Sequence, residues 1–80
     1  MSPTVLRDKG YRFVIYTHDH EPAHVHVMKA ENEAVVDIRP DVSLRNNYGF
    51  KSREIKDILQ ITEDNVEYLR DEWDRIHADE

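Results

Sequence analysis

The spacing of apolar residues changes once along this 80-residue chain, close to residue 50. Before that point apolar and polar residues alternate, which is typical of strands that bury one face. After it the apolar residues recur at three- and four-residue steps, which is typical of amphipathic helices. This order predicts an α+β fold, with an antiparallel sheet of three to five strands followed by two C-terminal helices packed on one face. We expect one domain over residues 1–80, with strands at about 4–44 and helices at about 52–78.

Five segments have strand character, and turn residues separate them. The second segment is rich in aromatic and β-branched residues, and the third alternates strictly. Residues 45–49 are expected to form a loop in which Gly49 adopts a backbone conformation that other residues disfavour. The predicted strands span residues 4–7, 11–17, 23–30, 34–39 and 41–44.

Two helices are predicted in the second half of the chain. Ser52 is expected to cap the first helix, and Thr62, which two acidic residues follow, is expected to cap the second. The helices would then join near residues 61–62, and a single kinked helix is the alternative. Their predicted core residues are Ile55, Ile58, Leu59, Val66, Leu69, Trp73 and Ile76.

The composition limits the classes of function. The chain has no cysteine, which excludes disulfides and thiolate zinc sites. Its longest apolar stretch, residues 13–16, is far too short to cross a bilayer, and its start lacks the apolar region of a signal peptide. A cytoplasmic location without membrane contact is therefore expected. The net charge of −6 argues against nucleic-acid binding through the electrostatic field of the whole protein. Such binding would need a local basic patch or a partner.

Four of the five histidines lie in the segment HDHEPAHVHV, residues 18–27. Strand alternation puts His24 and His26 on one face and Val25 and Val27 on the other. Since the two valines must enter the core beneath the helices, the histidines are expected on the opposite face of the sheet, which we call the outer face.

The expected register places other functional groups around these histidines. It assumes a five-residue loop at 18–22 and a two-residue turn at 31–32; a four-residue loop in place of that turn would shift the pairs by two residues but keep the faces. The expected cross-strand pairs on the outer face are Tyr16–His24, Val14–His26, His26–Asp37 and His24–Arg39.

Three interpretations of this face follow from the residues. In the first, His24 and His26 bind one divalent transition metal such as zinc, with His20 or Asp37 completing the site, because two imidazoles rarely hold a metal alone. In the second, the face is an acid–base site. Its candidate catalytic residues are Tyr16, His24, His26, Asp37 and Arg39. In the third, the histidines are structural residues of a sheet face that serves as a protein interface, where aromatic and arginine side chains are favoured.

The chain also resembles a family of small bacterial domains, domain of unknown function 4160. The resemblance covers nearly the whole sequence, and its strongest mark is the motif Asp19, His20, Pro22, His24 and His26. The family commonly has a second proline before the histidine, where this chain has Ala23. Members often lie beside another short gene in arrangements like those of toxin–antitoxin pairs. The resemblance therefore implies a companion small protein encoded nearby, and it implies no reaction.

Two functional hypotheses result. The first is a small interaction module of a two-gene, toxin–antitoxin-like system, which meets its partner through the histidine face or an exposed edge strand. The second is a small histidine-dependent or metal-dependent nuclease or RNase. An open outer face with apolar side chains at Val14, Tyr16, Met28 and Val35 would also favour a homodimer or another homo-oligomer.

Overall fold

A computed structural model of the chain describes residues 4–78, which form a five-stranded antiparallel sheet and two helices. The strands lie in the sheet in chain order, so each strand pairs with the next. The elements are β1 (Thr4–Asp8), β2 (Tyr11–Val14), β3 (His24–Lys29), β4 (Asn32–Asp37), β5 (Ser43–Tyr48), α1 (Ser52–Asp64) and α2 (Val66–Ile76). The predicted α+β architecture is confirmed.

The core lies between one sheet face and the two helices, as the alternation predicted. Its central side chains are almost fully buried, and Trp73 of α2 is 2% exposed. The predicted core residues that belong to this cluster are Phe13, Ile15, Val25, Val27, Val36, Ile38, Ile58, Leu69 and Trp73. Neither α1 nor α2 has the length and apolarity that a membrane crossing requires.

The register of β2 and β3 agrees with the prediction, because Val14 lies opposite His26. The turn between β3 and β4 differs. It consists of residues 30–31, where Ala30 has a φ of 55°, and not of residues 31–32. Moving the turn by one residue shifts every pair by two. Asp37 therefore lies opposite His24 and not opposite His26, while both histidines keep their face because the shift is even.

Two strand boundaries also differ from the prediction. β2 ends at Val14, so Tyr16 lies in the following loop. β5 extends through Tyr48, across residues that were predicted to form a loop. The pairing of β4 with β5 is irregular between Val35 and Val36, and Arg45 is the extra residue of the bulge. A bulge interrupts the alternation from which a strand is recognised in a sequence.

The cap of the first helix and the junction between the helices differ from the prediction. Lys51, not Ser52, is the N-cap of α1, and its backbone N–H donates to Glu54 Oε1 at 2.9 Å. Thr62 is an interior residue of α1 whose hydroxyl donates to the carbonyl of Ile58 at 2.7 Å. The two helices join at Asn65, so the predicted junction at residues 61–62 was wrong.

The outer face exposes less apolar surface than the sequence suggested. Val14 and Val35 are only 1% and 7% exposed, and Met28 is half-buried. Tyr16 is 38% exposed. The outer face therefore offers little apolar surface for a homodimer to bury, and the homodimer stays a prediction.

Candidate metal centre

The loop between β2 and β3 carries an aspartate back over the sheet. The backbone N–H of Asp19 donates to the carbonyl of Tyr16 at 3.2 Å, and the N–H of Tyr16 donates to Asp19 Oδ2 at 3.3 Å. These two bonds close a tight turn in which the aspartate side chain bonds the backbone, as short polar side chains often do in turns. The carboxylate is thereby held above the first residues of β3.

Two histidines of β3 meet this carboxylate. His24 and His26 are two residues apart on one strand, so both project from the outer face, and their ring centroids are 5.2 Å apart. Their Nε2 atoms lie 3.4 and 3.2 Å from the same atom, Asp19 Oδ2. The three ligand atoms all lie within 4.8 Å of one another. We call this group the Asp19–His24–His26 cluster.

The other nitrogen of each imidazole is also fixed. His24 Nδ1 lies 2.9 Å from the carbonyl oxygen of Pro22, and His26 Nδ1 lies 3.0 Å from Glu33 Oε2. A carbonyl oxygen can only accept a hydrogen bond, so His24 must donate from Nδ1. An ionised Glu33 makes the same demand on His26. In the neutral rings, both Nε2 lone pairs then point towards Asp19.

Aromatic rings hold the two imidazoles from the sides. Tyr16 contacts the His26 ring edge-on at a centroid distance of 4.9 Å, and Trp73 lies 5.3 Å from His24. The side chains of His24 and His26 are consequently only 6% and 17% exposed. Because Trp73 belongs to α2, the prediction that both histidines lie away from the helices was wrong for His24.

Asp37 was predicted as a histidine partner, and it has another one. Its Oδ1 lies 2.6 Å from Nη2 of Arg45, the bulge residue of β5, in an ion pair whose geometry is not that of an aligned hydrogen bond. Arg45 also donates to the Pro22 carbonyl at 3.3 Å, the same oxygen that accepts from His24. Asp37 therefore supports the cluster through Arg45 and is not one of its converging ligands.

Two more predicted site residues lie outside the cluster. His20 is exposed and does not belong to the converging set. Arg39 forms a bidentate pair with Asp74 of α2, with both N–O distances at 2.7 Å. That pair raises the pKa of Arg39 and lowers the pKa of Asp74, in each case mainly through the hydrogen bonds between them. Arg39 is thus engaged in attaching a helix to the sheet.

The prediction from the sequence missed two contributors to this site, Glu33 and Arg45. Asp19 was named in the motif, with a side-chain–backbone turn as its favoured role and a ligand role as the less favoured one, because its approach to the histidines depends on a loop conformation that residue spacing does not encode. Glu33 reaches His26 only in the observed register, and Arg45 was assigned to a loop. Glu33 could have been found by extending the alternation of β4 backwards from Val35, which places Glu33 on the outer face beside the histidine strand.

A family model described as Domain of unknown function (DUF4160) matches residues 10–74, which include the whole cluster and its surroundings. The chain belongs to this family. Searches of curated proteins and of solved structures found no match. The family description states no activity, so a functional conclusion must come from the geometry of the site.

Proposed function

We propose that this DUF4160 protein binds a divalent transition metal such as zinc through Asp19, His24 and His26. One observation carries the proposal: two imidazole Nε2 atoms and a carboxylate oxygen converge on one point, while each Nδ1 faces an acceptor. Metal-binding histidines have this arrangement, in which the outer nitrogen donates to a carbonyl or a carboxylate and the inner nitrogen faces the ion.

The distances suit a tetrahedral ion. With metal–ligand bonds of about 2.0–2.1 Å, neighbouring ligand atoms of a tetrahedral site are about 3.3 Å apart. Asp19 Oδ2 lies 3.4 and 3.2 Å from the two nitrogens. The remaining adjustment is therefore a movement of the two rings towards each other. Oxygen and imidazole nitrogen are ligands that zinc, nickel and iron accept.

Electrostatics supports the same conclusion. With neutral rings, the two Nε2 lone pairs and Asp19 Oδ2 face one another where water has little access. This arrangement is unfavourable unless a positive charge lies between the three atoms. A divalent cation supplies that charge. The alternative is a proton on each Nε2, which would make the cluster an acid–base site without a metal. Metal analysis separates the two.

The test uses protein purified without a polyhistidine tag. We expect about one zinc or other transition-metal ion per chain, because one converging set of ligands is present among residues 4–78. Cobalt(II) should give the visible spectrum of a tetrahedral site. The His24→Ala/His26→Ala double variant should lose the metal, and His20→Ala, which removes an exposed histidine of the same segment, should keep it. A double variant that binds metal as wild type does would refute the proposal.

Three protein ligands favour a reactive metal over a purely structural one. Structural zinc sites normally have four protein ligands, and catalytic ones have three with a position left open. A hydrolytic activity, of which a metal-dependent nuclease or RNase is the case argued from the sequence, is compatible with this ligand number. Hydrolysis of model phosphodiesters by the metal-loaded protein, lost in the double variant, would support it.

An interaction role is the second candidate, and β5 favours it. All six residues of this edge strand are exposed, including Leu44 at 38% and Tyr48 at 60%. Unpaired edge strands are common places for a partner to add a strand. Co-purification with the product of the adjacent small gene, weakened by Leu44→Lys but not by Lys56→Glu on α1, would support a companion protein of the toxin–antitoxin-like kind.

A further inference from the structure

Two arginines face each other across the β1–β2 hairpin. Arg7 lies directly opposite Arg12 in the ladder, so both project from the same face of the sheet. Arg12 is also opposite Met28, whose sulfur it contacts at 3.4 Å, which places the pair on the outer face with the histidines. Like charges at directly opposed positions destabilise a sheet. An anion bound between the two guanidinium groups would offset this repulsion.

Neither arginine is neutralised within residues 4–78. No carboxylate of that part of the chain forms an ion pair with Arg7 or Arg12. Four other arginines do have acidic partners. They are Arg39, Arg45, Arg70 and Arg75. On the outer face, the acidic residue nearest in the register is Glu33, opposite Met28, and His26 engages it.

The negative charge of the protein is concentrated elsewhere. Residues 1–51 contain seven acidic and seven basic residues, whereas residues 52–80 contain ten acidic and four basic residues. Residues 52–78 therefore have a net charge of −4, and α1 and α2 pack mainly on the other face of the sheet, although Trp73 reaches His24 on the outer one. The outer face carries three carboxylates, and each is paired with a histidine or an arginine: Asp19, Glu33 and Asp37. The unpaired acidic excess that argued against nucleic-acid binding is therefore weaker on this face than for the whole chain.

The arginine pair lies between a shallow groove at the β1–β2 and β3–β4 turns and the Asp19–His24–His26 cluster. The groove, of about 260 Å³, is lined by Gly10, Arg12, Met28, Lys29 and Ala30. Arg12 and the His26-facing Val14 are two residues apart on β2, which is roughly 7 Å along a strand. A ligand that contacts the arginines can therefore reach the Asp19–His24–His26 cluster.

Two exposed tyrosines complete this surface. Tyr16 stands beside His26, and Tyr48 lies on the outer face opposite Glu33, with exposures of 38% and 60%. Exposed aromatic rings and cationic groups on one face are the recurring arrangement of single-stranded nucleic-acid binding, in which bases stack and phosphates pair with Lys or Arg.

We infer that the outer face binds single-stranded nucleic acid, with backbone phosphate between Arg7 and Arg12 and a neighbouring phosphodiester at the Asp19–His24–His26 cluster. The second contact rests on the proposed metal centre, and the first does not. This assigns the phosphodiester backbone as the ligand class of the metal site.

The test is fluorescence anisotropy of a labelled RNA of roughly ten uridines, a length within the range of single-strand binding sites. Two phosphate contacts predict a slope of about −1.4 for log K against log salt, or about a sevenfold loss of affinity between 50 and 200 mM salt. Arg7→Gln/Arg12→Gln should halve this dependence, because only the phosphate at the cluster remains. Arg53→Gln, which makes the same change of charge per site on α1, should preserve it.

The possible failures are distinguishable. If the double arginine variant binds RNA with the affinity and slope of Arg53→Gln, the inference is overturned whatever the metal content. If inorganic phosphate at an equal phosphate concentration displaces the RNA, the arginines form a small-anion site and the nucleic-acid assignment is wrong. The His24→Ala/His26→Ala variant should lose metal yet keep the arginine contact. Thermal melting checks folding, and the double arginine variant should melt no lower than wild type because it removes a like-charge pair.

Discussion

At the scale of single residues, the contact that most sharply tests the metal centre is the one between His26 Nδ1 and Glu33 Oε2, at 3.0 Å. Partners of this kind orient a ligating imidazole and raise its basicity, and their removal typically weakens metal binding about 10–100-fold. We expect Glu33→Ala to lower zinc affinity by about that factor. The measurement is competition with a chelator of known affinity. Glu31→Ala, in the adjacent exposed turn, is the matched control, and equal affinities of the two variants would contradict the assigned role of Glu33.

Residue identities predicted part of this site and could not predict the rest. His24 and His26 had to share a face because Val25 and Val27 had to enter the core, and they do. The predicted partner of His26 was wrong because the β3–β4 turn begins at Ala30, which adopts a positive φ. Alanine is not a residue from which such a turn is recognised in a sequence. Because the turn was placed one residue too late, Asp37 was predicted as the partner of His26 in place of Glu33. Asp19 lies at the cluster because of the conformation of the loop between β2 and β3, and residue types alone do not predict that conformation.

At the scale of elements, the connection from β5 to α1 depends on one glycine. Gly49 has a φ of +107°, which agrees with the prediction that it adopts a backbone conformation that other residues disfavour. A Cβ at this position would lie 2.3 Å from Asn32 Oδ1. Gly49→Ala should therefore cost more than the roughly 1 kcal/mol expected from backbone conformation alone. Gly10→Ala is the control, since its φ is +83° but its nearest neighbour is the flexible Lys29 side chain at 3.3 Å. Urea denaturation that ranks the two variants equally would show that Asn32 moves aside at no cost.

A second element-scale contact attaches the end of β4 to α2 through Arg39 and Asp74. Its hydrogen bonds hold the pKa of the Asp74 carboxyl below its usual value near 3.8. A carboxyl whose pKa is lower in the folded state adds stability above the unfolded pKa and loses it as the pH falls through the folded pKa. Asp74→Asn should therefore be less stable than wild type at neutral pH, and the difference should disappear as the pH falls through the lowered pKa of Asp74 in the folded state.

The measurement for this pair is thermal melting as a function of pH and salt. Asp57→Asn on α1 removes the same charge without breaking an ion pair of the described chain. The exposed position of Asp74 means that salt should screen the effect. A constant difference between wild type and Asp74→Asn across the pH range would show that the pair is not formed.

The elements themselves were predictable where a pattern had enough length. The alternation of β3 and the helical steps of α1 and α2 predicted their type and their buried faces correctly. β5 was truncated because the bulge at Arg45 breaks the alternation and its residues are polar. The helix junction was misplaced because Thr62 looks like a cap in the sequence, whereas its hydroxyl bonds the preceding turn from inside α1.

At the scale of the whole molecule, the cluster connects segments that are distant in the chain. Asp19 comes from a loop, the histidines come from β3, and Trp73 of α2 contacts His24 while its Nε1 donates to Glu21 of the same loop at 3.4 Å. A metal bound at the cluster would therefore stabilise the loop, the sheet and the last helix together. A domain of this size is stable by only about 4–12 kcal/mol, so one bound ion is a considerable addition.

The size of that addition follows from linkage between binding and folding. Free metal at 100 times its dissociation constant should add about 2.7 kcal/mol to the free energy of unfolding, provided that the unfolded chain does not bind it. Since 1 kcal/mol shifts the melting temperature of a small domain by about 4–8 °C, we expect a rise of roughly 10–20 °C in wild type. The single tryptophan, Trp73, reports the transition because it is buried in the core and contacts His24. His20→Ala should show the full rise and His24→Ala/His26→Ala should show none; a rise that persists in the double variant would locate the metal at another site and remove the basis for the function proposed above.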